Sequence, residues 1–173
     1  SGQNVWVAMA GATAAGMAAG LATGILHTFM GIPAILAGIL TQLGLYSINL
    51  KTMGKANQAI NVDKYDLLVS LRFIRKVPFY KNTILIVAIA IILLIVVLYW
   101  FFGTELGCSL RATGCNDKMA RAQGINTDFN RVLGLMISNG LVALSGAMLC
   151  QYQGFADINM GRGAIVIGLA AVI

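Results

Sequence analysis

Acidic side chains, histidine and proline are all scarce in this chain: six Asp and Glu, one His and two Pro among 173 residues. Each shortage excludes something. A membrane-embedded enzyme or a metal centre needs convergent His, Cys or carboxylate groups. The single histidine, His27, sits at the end of an apolar run with no acid beside it, and reads as a structural or interfacial residue. A carrier or channel driven by ions or protons usually keeps an ionisable residue at membrane depth, and the apolar runs show none there. Cys108, Cys115 and Cys150 are too few and too scattered for a disulfide framework, so they read as free thiols. Nucleotide motifs are missing as well. There is no glycine-lysine-serine/threonine phosphate loop, and Gly161-Arg162-Gly163 lacks the third glycine and the preceding strand of a dinucleotide fingerprint.

Apolar residues fill the space that charge leaves. The chain is 58% hydrophobic and 10% charged, with mean hydropathy +0.82, whereas a soluble domain is about half apolar and a quarter charged. The fold class is all-α, a polytopic transmembrane bundle. At roughly 20 apolar residues per span, residues 1–173 hold four to five crossings in one membrane domain. The net charge of +6 does not indicate nucleic acid, because seven of the twelve Lys and Arg fall between Lys51 and Lys81, beside apolar runs. Membrane and partner surfaces fit that placement.

The expected spans are 5–26, 34–50, 83–103, 129–152 and an incomplete one at 163–173. With a run starting almost at residue 1 and another ending at residue 173, the chain reads as truncated at both ends. In the first span Gly16, Gly20 and Gly24 recur every four residues on one face, which lets a second helix approach closely. The second opens after Gly31-Ile32-Pro33 and carries Gln42, Tyr46 and Asn49 on a shared face. Amides at membrane depth face either a water-filled path or a neighbouring helix. Residues 83–103 are bulky and apolar all round, as befits a peripheral, lipid-facing helix. The connector from Lys51 to Asn82 holds seven basic residues and two acids, Asp63 and Asp66, with an amphipathic pattern leading up to Pro78.

The segment 105–128, ELGCSLRATGCNDKMARAQGINTD, is too structured for a plain connector. It reads as two short helices. Leu106 to Ala112 forms the first, which Gly114 breaks; Asn116 then caps a second that ends at Gly124, a left-handed C-cap, with Arg121 in its last turn. Helices this short are not stable alone and must dock on something. Arg111, Lys118 and Arg121 balance Glu105, Asp117 and Asp128 in number, so a protein partner fits better than generic attraction to anionic lipid.

LRATGCNDKMARAQGIN resembles the coupling loop of ABC importer permeases of the branched-chain amino acid and ribose type. Arg111, Ala112, Gly114, Asn116, Ala120, Gly124 and Ile125 match that motif, and the likeness extends over nearly the whole chain. It is greatest to the tryptophan/tyrosine-type or uncharacterised subfamily, whose members are longer at both ends. The resemblance implies a permease subunit of the bacterial inner membrane, an importer of a small solute such as an amino acid. Its partners would be a separate ATPase subunit that binds the ATP, an extracytoplasmic solute-binding protein, and a second, identical or paralogous permease subunit. No cofactor of its own is implied. The coupling residues would be Arg111, Ala112, Gly114, Asn116, Ala120, Arg121 and Gly124, and the translocation path would run past Gln42, Tyr46 and Asn49. With the coupling loop inside the cell, the basic connector falls outside, against the positive-inside rule. A docking role for Arg72, Arg75 and Lys76 at the binding protein would account for that charge.

Overall fold

The computed structural model describes residues 5–59 and 82–172. Helices α1 (Val5–Thr28) and α2 (Ala34–Met53) are followed by a short strand, β1 (Asn57–Ala59). After the undescribed segment come α3 (Asn82–Gly103), α4 (Glu105–Cys115), α5 (Asp117–Ala122), α6 (Thr127–Gln153), strand β2 (Phe155–Asp157) and α7 (Arg162–Val172). Helices α1, α2 and α6 are each long and apolar enough to cross a membrane. The apolar stretch of α3 meets α4 at an 80° bend and supplies a fourth candidate span. The all-α transmembrane architecture is therefore as the composition dictates. At 1.5 Å per residue the 11-residue α7 covers roughly 16 Å, about half a hydrocarbon core.

The core of the described chain is the crossing of α1 on α6. A Cβ built on Gly20 would lie 2.5 Å from the Leu135 carbonyl oxygen and 2.7 Å from Met136 Cα. At Gly24 it would lie 3.0 Å from Val132 Cα, and at Gly16 it would collide with Ala143 Cβ and stand 2.7 Å from the Asn139 carbonyl. The glycine stripe is thus the surface on which α6 lies. As the α1 numbers rise from 16 to 24 the α6 numbers fall from 143 to 132, so the two helices are antiparallel. Without a hydrophobic force between helices in lipid, such close contact is what dispersion needs. Helix α2 returns alongside α1, joined to it by a hydrogen bond between the Thr23 and Thr41 hydroxyls at 2.9 Å. The turn between them is braced by His27, whose Nδ1 donates to the Ile32 carbonyl at 2.8 Å. This is a structural role for the lone histidine.

Local details differ from expectation. Helix α2 continues past the expected residue 50 to Met53, stops at Gly54 in the left-handed region (φ 68°), and leads into β1. After α6, β2 pairs antiparallel with β1, Asn57 opposite Asp157 and Ala59 opposite Phe155. And α4 is not broken at Gly114 but runs through it to Cys115, because an exposed glycine lowers helix propensity without blocking the hydrogen-bond ladder. The amphipathic pattern leading to Pro78 lies outside the described residues.

The ribbon fixes relative sidedness. Helix α6, with 27 residues and a length of roughly 40 Å, has the α4–α5 elbow at its start and β2 just past its end. The described start of the basic connector therefore lies at the end of the bundle opposite the elbow.

Candidate functional site

The elbow is built from local capping chemistry. Thr104 turns the chain out of α3: its hydroxyl donates to the Phe101 carbonyl at 2.6 Å and accepts from the Gly107 N–H at 3.4 Å. Gly107 packs so close to α3 that a Cβ there would meet the Phe101 carbonyl oxygen and stand 2.5 Å from Phe102 Cα. Asn116 caps α5, its Oδ1 accepting from the Met119 N–H at 3.1 Å, and Asp117 sits at the positive end of that helix. At the other end Gly124 takes φ 80°. The Gly124 N–H bonds to the Arg121 carbonyl and the Ile125 N–H to the Ala120 carbonyl, both at 3.1 Å, a complete Schellman cap. Asn126 then caps α6, accepting from the Phe129 N–H at 3.1 Å.

Side chains next tie the elbow to the first turn of α6. Buried Asn130, 4% exposed, donates from Nδ2 to the Thr113 hydroxyl at 2.9 Å. Thr113 in turn donates to the Ser109 carbonyl at 2.8 Å. Arg131 Nη2 contacts Asp117 Oδ2 at 2.6 Å. Arg121 Nη2 donates to the Thr127 hydroxyl at 2.8 Å and to Asp128 Oδ1 at 3.1 Å. Both short helices are therefore held by α6 rather than standing free.

The motif residues sort by this geometry. Ala120 is 3% exposed and packs inward, whereas Arg111, Ala112, Gly114, Asn116, Arg121 and Gly124 are exposed. The numerical charge balance of the segment does not survive folding. Asp117 is taken by Arg131 and Asp128 by Arg121, and among the described residues Arg111 and Lys118 have no ionic partner. Met119, next to Lys118 on α5, is 61% exposed. The elbow thus shows solvent an apolar side chain and two cations, Arg111 and Lys118.

The whole chain, residues 1–173, matches the family model described as branched-chain amino acid transport system / permease component. It belongs to that permease family. It is 40% identical over 161 residues to the tyrosine transport system permease protein of Clostridioides difficile, covering 91% of this chain and 50% of that one. It is 39% identical over 144 residues to an uncharacterised Rickettsia prowazekii protein, covering 82% of this chain and 48% of that one. The autoinducer 2 import system permease protein LsrC of Yersinia pestis is 33% identical over 161 residues, 91% of this chain and 43% of that one. The chain spans about half the length of these curated relatives. No solved structure matches it significantly.

The other two groups of predicted site residues lie away from the elbow. Gln42, Tyr46 and Asn49 are all exposed on α2, on a face turned away from the buried Ala37 that meets the bundle. Arg72, Arg75 and Lys76 lie outside the described residues. Sequence reasoning missed Thr113, Asn130 and Arg131 as parts of the elbow. The only local signal for them was polarity at an interior helix start, and their partners lie 14 to 17 residues away.

Proposed function

We propose that this chain is part of the membrane-spanning permease subunit of an ATP-driven importer for a small solute, an amino acid being the favoured class. The observation that carries the reading is the elbow: two capped short helices, fastened to a span, with Met119, Arg111 and Lys118 exposed. Such a surface fits a cleft in a separate ATPase subunit, which would bind and hydrolyse the ATP and receive these three side chains. The amino acid preference rests on the relative named for tyrosine transport, whose identity over this chain exceeds that of the autoinducer 2 permease. The elbow then faces the cytoplasm, and the ribbon faces outward in the bacterial inner membrane. There a solute-binding protein delivers cargo, with Arg72, Arg75 and Lys76 as its contact and Gln42, Tyr46 and Asn49 along the path. A second copy of the subunit completes the pathway.

The test is reconstitution of the full-length permease with its ATPase and binding protein in proteoliposomes, with tyrosine as the first probe and other amino acids following. ATP-dependent uptake is expected, and Gly124→Val should abolish it while ATP hydrolysis continues, because a β-branched residue at φ 80° breaks the Schellman cap. Uptake driven by an ion gradient without ATP would overturn the reading.

A further inference from the structure

Two of the residues that fasten the elbow, Asn130 and Arg131, are not among its exposed coupling residues. Asn130 and Arg131 are adjacent on the first turn of α6, and each reaches a different helix of the elbow: Asn130 holds Thr113 on α4, and Arg131 holds Asp117 at the start of α5. Toward α3 the attachment is of another kind. Apart from the cap Thr104, α4 and α5 make no side-chain hydrogen bond to α3 among the described residues, and the chain turns there through 80°. Asp117 has little alternative to Arg131. Its second oxygen, Oδ1, is buried without a hydrogen-bond partner, so loss of the guanidinium leaves a partly buried carboxylate uncompensated. On the far side α6 is interlocked with α1, backbone against backbone, at Gly16, Gly20 and Gly24.

We propose that Asn130 and Arg131 are positioning residues that lock the elbow to α6, so that elbow, α6 and α1 move as one body when the elbow is displaced. This rests on the reading of the elbow as the ATPase contact, because only then is there a force to transmit. Displacement at Met119 passes through Thr113–Asn130 and Asp117–Arg131 into α6, and through the glycine crossing into α1. Among the described residues one side-chain hydrogen bond, Thr23–Thr41, joins α2 to α1, and α2 follows a turn containing Gly31, so relative motion is taken up there.

The test uses the full-length permease with its natural cysteines replaced by serine and spin labels at Ala122→Cys on α5 and Val142→Cys on α6, both exposed positions. Distance distributions are recorded without nucleotide and with the ATPase and ATP bound. One narrow distribution, the same in both states, is expected. Arg131→Met should broaden it about twofold even without nucleotide, since the carboxylate is released from a local structural unit. Arg131→Lys should restore the narrow form, because a single contact to Asp117 Oδ2 needs only a cation. Adding Asp117→Ala to Arg131→Met should add nothing further, as for two residues that act through one contact. If Arg131→Met does not fold, Thr113→Val, nearly isosteric, reads the other half of the clamp with the same labels. A distance that shifts with nucleotide in the unmutated clamp, or no broadening in either variant, overturns the proposal. Failure of the docking reading shows separately. In a separate preparation that keeps its natural cysteines, cross-linking from the exposed Cys115 thiol to the ATPase would then be absent, while the nucleotide-free distributions of the labelled protein still report on the clamp.

Discussion

Replacing Gly20 with alanine places a methyl group where the α6 backbone already stands, 2.5 Å from the Leu135 carbonyl oxygen and 2.7 Å from Met136 Cα. Non-bonded carbons settle at roughly 3.5 to 4.0 Å, so α1 and α6 must part by about 1 Å at the crossing. Both neighbours are main-chain atoms, and no rotamer change relieves the contact. A radial gap of that size forfeits about a quarter to a half of the dispersion energy at each surrounding contact. Overpacking of this kind costs about 1 to 3 kcal/mol, and the backbone clash places Gly20→Ala in the upper part of that range. The higher helix propensity of alanine returns at most about 1 kcal/mol, leaving a net loss near 2 kcal/mol, or roughly thirtyfold in the folding equilibrium. The control is Gly11→Ala on the same helix, where an added Cβ meets nothing within 4 Å. Denaturation of the two full-length variants in mixed micelles, followed by circular dichroism, should show Gly20→Ala unfolding at clearly lower denaturant. Equal midpoints would refute the close-approach argument and with it the glycine crossing as the core.

Asn116→Ala removes the acceptor for the Met119 N–H and should cost about 1 kcal/mol of helix stability. Hydrogen exchange at Met119 should then quicken about fivefold, and unchanged protection would count against the cap. Cysteines introduced at Gln42, Tyr46 and Asn49 should react with small aqueous thiol reagents at a rate that substrate changes; if all three stay inert while other faces of α2 label, that face serves dry helix packing. A cysteine at Asn61 should be modified by an impermeant reagent from outside intact cells, and protection until lysis would reverse the proposed sidedness. Reversing the charges of Arg72, Arg75 and Lys76 should slow association of the binding protein strongly at low ionic strength and mildly at high, since such steering is screened by salt. An equal effect at both would remove those residues from the docking role.

The local chemistry of the chain was legible wherever cause and effect lie within a few residues. Long apolar runs with no acid at their centres determine spans, because a bilayer leaves the backbone no other way to close its hydrogen bonds. Asn116 ahead of Asp117, and Gly124 after Arg121, determine the limits of α5, since each satisfies groups of its own helix end. The family motif in the elbow was legible for the same reason, as a run of matching residues in fixed order.

The sequence by itself therefore determined the membrane class, the caps of the elbow and the family. The tertiary structure alone decided which surfaces meet. It put the Gly16–Gly20–Gly24 stripe against residues more than a hundred positions later, paired the three-residue strands β1 and β2 across a similar gap, and paired Asp117 and Asp128 with arginines, so that Arg111 and Lys118 have no ionic partner among the described residues. None of these has a local signature. A helical stripe records that something packs closely without recording what, and a count of charges is blind to which of them folding brings within reach of one another.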